Sequence, residues 1–167
     1  MGQEATIKAP EAFGAFAQLF ADHAPRLARY FWLHTASASA AETLTSETFL
    51  RAWCSWPGGS GEEKLLRKWL YEVARQVLAL HGSGPRQGQA ACPSPRIGGT
   101  LVMNCGLSQA LAALSRSERD ILALYVGAQL SPSEIAEVTG VRPEHVAVVL
   151  RCILGKLRAR AHRNEPS

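Results

Sequence analysis

Apolar residues recur at spacings of three and four through most of this chain, which is the period of an amphipathic helix. Over residues 10–81 they form four helical stretches, with a break between the first two at Asp22–Pro25. A second helical block starts at Leu107, and capping boxes are predicted at Ser39–Glu42 and Ser115–Glu118. No stretch alternates as a strand would, so the pattern predicts an all-α chain.

Residues 82–100, GSGPRQGQAACPSPRIGGT, interrupt the helical pattern with five glycines and three prolines. Such a composition buries too little apolar surface to fold by itself, so this segment is expected to be a flexible linker. The sequence therefore predicts two small helical domains at residues 8–81 and 105–162, joined by a linker over residues 82–104.

A helix-turn-helix is predicted between Ser131 and Arg158. Ser131 and Glu134 have the spacing of a capping box, and Gly140 can adopt the left-handed conformation that ends a helix. The second helix carries apolar residues at helical spacing, namely Val146, Val149, Leu150, Ile153, Leu154 and Leu157. A second helix held across a first by a tight turn fits a DNA major groove. An ordinary helical hairpin is the alternative, because the same caps and turn would serve it.

Charge and cysteine usage narrow the function classes. The 18 basic and 14 acidic residues give a net charge of +4, which is compatible with nucleic-acid binding without requiring it. Cys54, Cys92, Cys105 and Cys152 form no C-x-x-C pair, so neither a metal site nor a cofactor is predicted. The five histidines lie far apart with no nucleophile and orienting acid around them, so catalysis is not expected.

The sequence contains neither a signal-peptide pattern at its N-terminus nor an apolar run as long as a membrane span. We therefore expect a soluble, cytoplasmic protein without membrane insertion, with its thiols in a reducing environment.

Three segments, in this order, give the chain a resemblance to a known family. AAETLTSETFLRAW (Ala40–Trp53) is similar to the region-two helix that docks on the RNA polymerase clamp. LLRKWLYEVARQVLAL (Leu65–Leu80) is similar to the next helix, which helps to open and read the downstream promoter element. LSRSERDILALYVGAQLSPSEIAEVTGV (Leu114–Val141) is similar to region four, which reads the upstream element. Together they resemble a bacterial sigma factor of the extracytoplasmic-function (ECF) group of the sigma-70 family.

The resemblance implies an alternative sigma factor that binds core RNA polymerase and promoter DNA and is controlled by an anti-sigma factor or another regulatory protein. The residues it implies for polymerase binding are Leu44, Glu47, Phe49 and Trp53. Those it implies for DNA binding are Trp69, Arg75, Arg142, His145, Ala147, Val148 and Arg151. Core packing is the competing interpretation of Phe49, Trp53 and Trp69, because large apolar residues at helical spacing are usually buried.

The chain departs from the family at positions that contact DNA or polymerase. The family typically has a threonine, a lysine and an arginine where this chain has His145, Ala147 and Val149. Its docking helix usually carries an aspartate and a glutamine where this chain has Thr43 and Ser46. Because cations supply most of the non-specific affinity for DNA, a second hypothesis is a sigma-like regulator that has lost DNA contact and acts by protein–protein binding. A third, a regulator of another helix-turn-helix family, is weakened by the N-terminal matches.

Overall fold

The computed structural model describes residues 10–56, 63–81, 111 and 113–161, with side chains from Phe13 to Ala159. In these ranges the chain is helical and contains no strand, so the all-α prediction is confirmed. The helices are α1 (Pro10–Thr35), α2 (Ala38–Cys54), α3 (Glu63–His81), α4 (Arg116–Leu122), α5 (Pro132–Thr139) and α6 (Pro143–Ala161), and a π-helical turn (Ala123–Gly127) follows α4. The predicted linker at 82–104 lies outside the described residues.

The first helix is continuous where the sequence predicted two helices. Pro25 lies inside α1, although proline removes one backbone hydrogen bond from a helix interior. Leu19, on one side of Pro25, and Leu27 and Phe31, on the other, are all buried in the same apolar core. Packing of both segments against one surface therefore offsets the lost hydrogen bond, and the predicted break at Asp22–Pro25 is wrong.

The start of α2 also differs from the prediction. The N-cap is Ser37, whose side-chain oxygen accepts a hydrogen bond from the backbone N–H of Ala40 at 3.3 Å. Ser39 already lies inside the helix, where its carbonyl accepts the hydroxyl of Thr43 at 2.9 Å. The predicted capping box at Ser39–Glu42 is therefore wrong, and the N-cap lies two residues earlier, at Ser37.

The caps predicted in the C-terminal part are confirmed. Ser115 and Glu118 form a capping box before α4, and Ser131 and Glu134 form one before α5. Gly140 closes α5 in the left-handed conformation, with φ of 74°. Helices α5 and α6 consequently form the predicted helix-turn-helix.

A single apolar core joins the N-terminal half (α1–α3) to the C-terminal half (α4–α6). Leu27 and Tyr30 of α1 lie in the same buried cluster as Leu124 and Ile135. The closest approach is at Gly127, where an added Cβ would lie 2.8 Å from the backbone nitrogen of Tyr30. Only glycine fits there without movement of α1 away from the turn. The helices that the sequence assigns to two domains thus pack directly against each other.

Among the described residues, no helix has the length and apolar character needed to cross a membrane.

Candidate polymerase and nucleic-acid interfaces

The second helix of the helix-turn-helix presents the predicted DNA-binding residues to solvent. Its inner side is buried through Val146, Leu150 and Ile153, which fix its orientation on the core. Arg142 in the preceding turn and the α6 residues His145, Ala147, Val148 and Arg151 are all exposed. The fold therefore places these five predicted DNA-binding residues close together, on the exposed side of α6 and in the turn before it.

The exposed surface of α6 carries little charge at its centre. Val148 is 56% exposed and Leu154 is 43% exposed, so apolar side chains occupy positions that could hold cations. Lys156 turns back to α4 and pairs with Glu118. The hydrogen bond from Lys156, together with the N-cap hydrogen bond from Ser115, lowers the pKa of Glu118. Of the predicted contacts, Arg142 and Arg151 are the exposed permanent cations.

Two of the residues predicted to bind polymerase lie inside the protein. Leu44 and Phe49 are each 4% exposed and belong to the apolar core. The ring of Phe49 lies 4.6 Å from that of Phe20 and 6.1 Å from that of Phe16, measured between centroids. Both side chains therefore point from α2 into the apolar core and are not on the exposed side of this helix.

The other two predicted polymerase residues are partly buried and engaged within the chain. The indole of Trp53 packs against Phe16 at a centroid distance of 4.9 Å. Glu47 pairs with Arg51 at 2.7 Å and with His81 at 3.1 Å, which ties α2 to the end of α3.

The outer side of α2 instead presents Thr43, Ser46 and Leu50, spaced by three and four residues. Leu50 is a large apolar residue that is 67% exposed, beside the aromatic packing of Phe49 with Phe16 and Phe20. Leu50 is not among the contacts that the resemblance implied. The sequence signal for its exposure is its position opposite Ala41 and Ala52, which are small residues on the buried side of this helix.

The two α3 residues predicted to bind DNA are both engaged in packing or pairing. Trp69 is partly buried, with its ring 5.7 Å from that of Trp56. The guanidinium of Arg75 spans the contact between the halves, donating to Asp120 at 3.1 Å and to the carbonyl of Val138 at 2.7 Å. Neither side chain lies freely on the surface in this arrangement.

Asp120 of α4 is the centre of a polar network between the two halves. It accepts hydrogen bonds from Tyr30 at 2.9 Å and from Arg75, and His34 Nε2 lies 3.5 Å away. Burial alone would raise the pKa of Asp120, but the contact with His34 and the charge of Arg75 outweigh it and hold the pKa below its usual range. Burial raises the pKa of Tyr30 well above its usual value, so this phenol stays a hydrogen-bond donor.

A cleft of about 480 Å³ opens beside this network, and its walls include Glu72, Gln76 and Arg116. In the part of the chain that the structure describes, no group of three or more His, Cys, Asp or Glu side chains could hold a metal ion.

No protein-family model and no curated protein sequence matches the chain. Solved structures do match it. One is the sigma factor RpoE from Bartonella quintana in complex with the anti-sigma factor NepR, with a TM-score of 0.68 and 18% identity over 90% of this chain and 99% of that one. Another is CnrH in complex with the cytosolic domain of CnrY, with a TM-score of 0.63 and 21% identity over 94% of this chain and 96% of that one.

The chain has the fold of an ECF sigma factor. The likeness extends over both halves and includes the helix-turn-helix, so the resemblance inferred from three short segments is confirmed at the level of the fold. At such low identity a shared fold does not by itself establish a shared activity, because activity depends on the side chains of the site.

Proposed function

We propose that this protein is an alternative sigma factor of the ECF type, which binds core RNA polymerase and directs it to promoter DNA. The observation that carries the proposal is the sigma-factor fold over nine-tenths of the chain, with both halves present and an exposed second helix in the helix-turn-helix. In this role the N-terminal half binds the polymerase, and α6 binds upstream DNA.

We assign the polymerase contact to the outer side of α2, around Thr43, Ser46 and Leu50. An exposed apolar residue beside small polar ones suits a protein–protein interface. In this proposal Leu44 and Phe49 act indirectly, by holding α2 in place from below. Glu47 and Trp53 remain predicted contacts at the edge of the same helix.

Replacing Leu50 with alanine should weaken capture of core RNA polymerase by about tenfold, because a central apolar anchor contributes more than 1 kcal/mol to an interface. Leu80→Ala on α3 is the matched control, since both side chains are 67% exposed. The measurement is a pull-down titration with purified core polymerase, accompanied by urea unfolding to show that both variants fold. Equal binding of the two variants would place the docking surface away from the outer side of α2.

For DNA, we propose that α6 enters the major groove with Arg142, His145 and Arg151 as polar contacts. Ala147 and Val148 would make apolar contacts, such as with thymine methyl groups. With so few cations, binding should be weak and should depend only modestly on salt.

Adding charge to α6 by Ala147→Lys and Val148→Arg should strengthen binding to duplex DNA. Each new phosphate contact should steepen the dependence of log K on log salt by about 0.9. Thr43→Lys with Ser46→Arg adds the same two charges on α2 and controls for net charge. Fluorescence anisotropy with duplex DNA at several salt concentrations is the measurement. A gain no larger than that of the control would mean that α6 does not lie on DNA.

That result would favour the second candidate, a sigma-like regulator that works by binding proteins. The exposed Val148 and Leu154 on a weakly charged helix are the observation that supports it. In either case we propose a regulatory protein partner, by analogy with the partners NepR and CnrY in the two matching structures.

A further inference from the structure

The outer side of α6 carries an acidic residue as well as its few cations. The side of this helix that faces the core consists of three buried apolar residues, Val146, Leu150 and Ile153. Glu144, Val148 and Arg151 are all exposed and are spaced by four and three residues, so they lie together on the opposite side. Glu144 is the only acidic residue between Pro143 and Ala161. A single carboxylate therefore lies among the residues that we propose to face DNA.

Glu144 occupies the part of α6 that comes closest to the bases in a helix-turn-helix complex. The first residues of the second helix are those that contact base edges in the major groove. Because α6 begins at Pro143, Glu144 lies in its first turn. Within the part of the chain that the structure describes, the carboxylate of Glu144 makes no hydrogen bond or ion pair. Its oxygens are therefore available as hydrogen-bond acceptors.

A carboxylate in the major groove discriminates strongly between bases. It repels the phosphates of every sequence, and an ionised carboxylate can only accept hydrogen bonds. Cytosine presents the amino group N4 as a donor, whereas guanine presents two acceptors and thymine presents an acceptor and a methyl group. Adenine has the donor N6, but its acceptor N7 lies beside it and repels a carboxylate. Cytosine is therefore the base that best compensates for the charge of Glu144.

We infer that Glu144 is a specificity-determining residue, whose carboxylate accepts a hydrogen bond from N4 of a cytosine in the upstream DNA element. This inference rests on the proposed placement of α6 in the major groove. The charge lowers the affinity for all sequences, and least for those with cytosine at this position, so it raises selectivity. Val148 and Arg151 follow at about 6 Å and about 10 Å along the helix axis. Their base contacts should therefore fall within about four base pairs of the cytosine.

Glu144→Gln tests the inference by exchanging one base preference for another. A glutamine amide has the same shape without the charge, and it pairs with N6 and N7 of adenine. Glu42→Gln on α2 is the matched control, because it removes the same charge from another exposed position. The full chain selects from a pool of duplexes with a randomised central segment at low salt, and the bound fraction is sequenced. Fluorescence anisotropy then measures affinity for duplexes that differ only at the selected base pair.

We expect the wild type to prefer cytosine at one position by about tenfold over the other bases. Glu144→Gln should prefer adenine at that position and should bind the remaining duplexes more tightly than the wild type, because the repulsion of phosphates is gone. Glu144→Ala should lose the preference without acquiring a new one, and Glu42→Gln should keep the preference for cytosine. Because Glu144 is exposed, these substitutions remove no core packing, and circular dichroism checks that each variant folds.

A purely structural role for Glu144 gives a different result. A glutamate in the first turn of a helix also stabilises that helix through its dipole, and this effect is independent of the DNA sequence. The inference is wrong if Glu144→Gln and the wild type select the same base at every position, or if Glu42→Gln changes the preference equally. Sequence-selective binding by the wild type would then still support the proposed place of α6 on DNA. If the wild type enriches no sequence, both the inference and that placement are wrong.

Discussion

Phe49→Ala should lower the free energy of unfolding by about 3 to 5 kcal/mol, the range found when a buried phenylalanine is truncated in a packed core. The side chain is 4% exposed and lies between the rings of Phe16 and Phe20. Its removal leaves a cavity that the continuous helix α1 cannot easily close, because α1 is also fixed at Gly127. Urea unfolding followed by circular dichroism measures the loss.

Leu50→Ala is the matched control for this prediction, since Leu50 is the next residue of α2 and is 67% exposed. Surface substitutions of this kind usually change stability by less than about 0.5 kcal/mol. Phe49→Ala should therefore lower the free energy of unfolding, whereas Leu50→Ala should weaken polymerase binding and leave that free energy almost unchanged. If Phe49→Ala keeps its stability and loses polymerase capture, the original assignment of Phe49 as a polymerase contact is correct and our account of α2 is wrong.

The contrast between Phe49 and Leu50 shows why helical spacing located α2 but could not tell its buried apolar side chains from its exposed ones. Helical spacing identifies the apolar residues of an amphipathic helix, yet an apolar residue packs equally well against its own chain or against a partner. The centre of the buried side of α2 is formed by Ala41, Thr48 and Ala52, which are small. The spacing of the large apolar residues alone therefore does not identify the buried side of this helix.

Features decided within a few residues of the chain were predicted well. The capping box of Ser131 and Glu134 and the left-handed Gly140 depend only on local backbone geometry, and both are present. The break predicted at Pro25 failed because buried residues on both sides of it pack on one core. Tertiary packing there outweighs a local preference.

Charge pairs between distant segments could not be predicted from the sequence. Arg75 and Asp120 are 45 residues apart in the chain, and nothing in the pattern of either helix indicates that they meet. The sequence therefore assigned Arg75 to DNA, whereas the structure pairs it with the C-terminal half.

Asp120 gives the second large effect that we expect. Asp120→Ala should destabilise the protein by about 2 to 3 kcal/mol, chiefly because the fully buried hydroxyl of Tyr30 loses its acceptor. The side chain of Arg75 is 37% exposed and can be hydrated instead, so the loss of its ion pair adds little. Urea unfolding at pH 7 measures the loss, with Asp22→Asn on the exposed surface of α1 as the control.

The pH dependence of stability provides an independent check on the same network. The contacts with His34 and Arg75 keep the pKa of Asp120 in the folded protein below its usual range, despite burial. The carboxylate therefore stabilises the fold fully above the unfolded pKa of about 3.9, and this contribution is lost as the pH falls through the lower folded pKa. The wild type should accordingly lose more stability than Asp120→Asn between about pH 5 and pH 3. Parallel stability profiles for the two proteins over that range would show that Asp120 does not organise the contact between the halves.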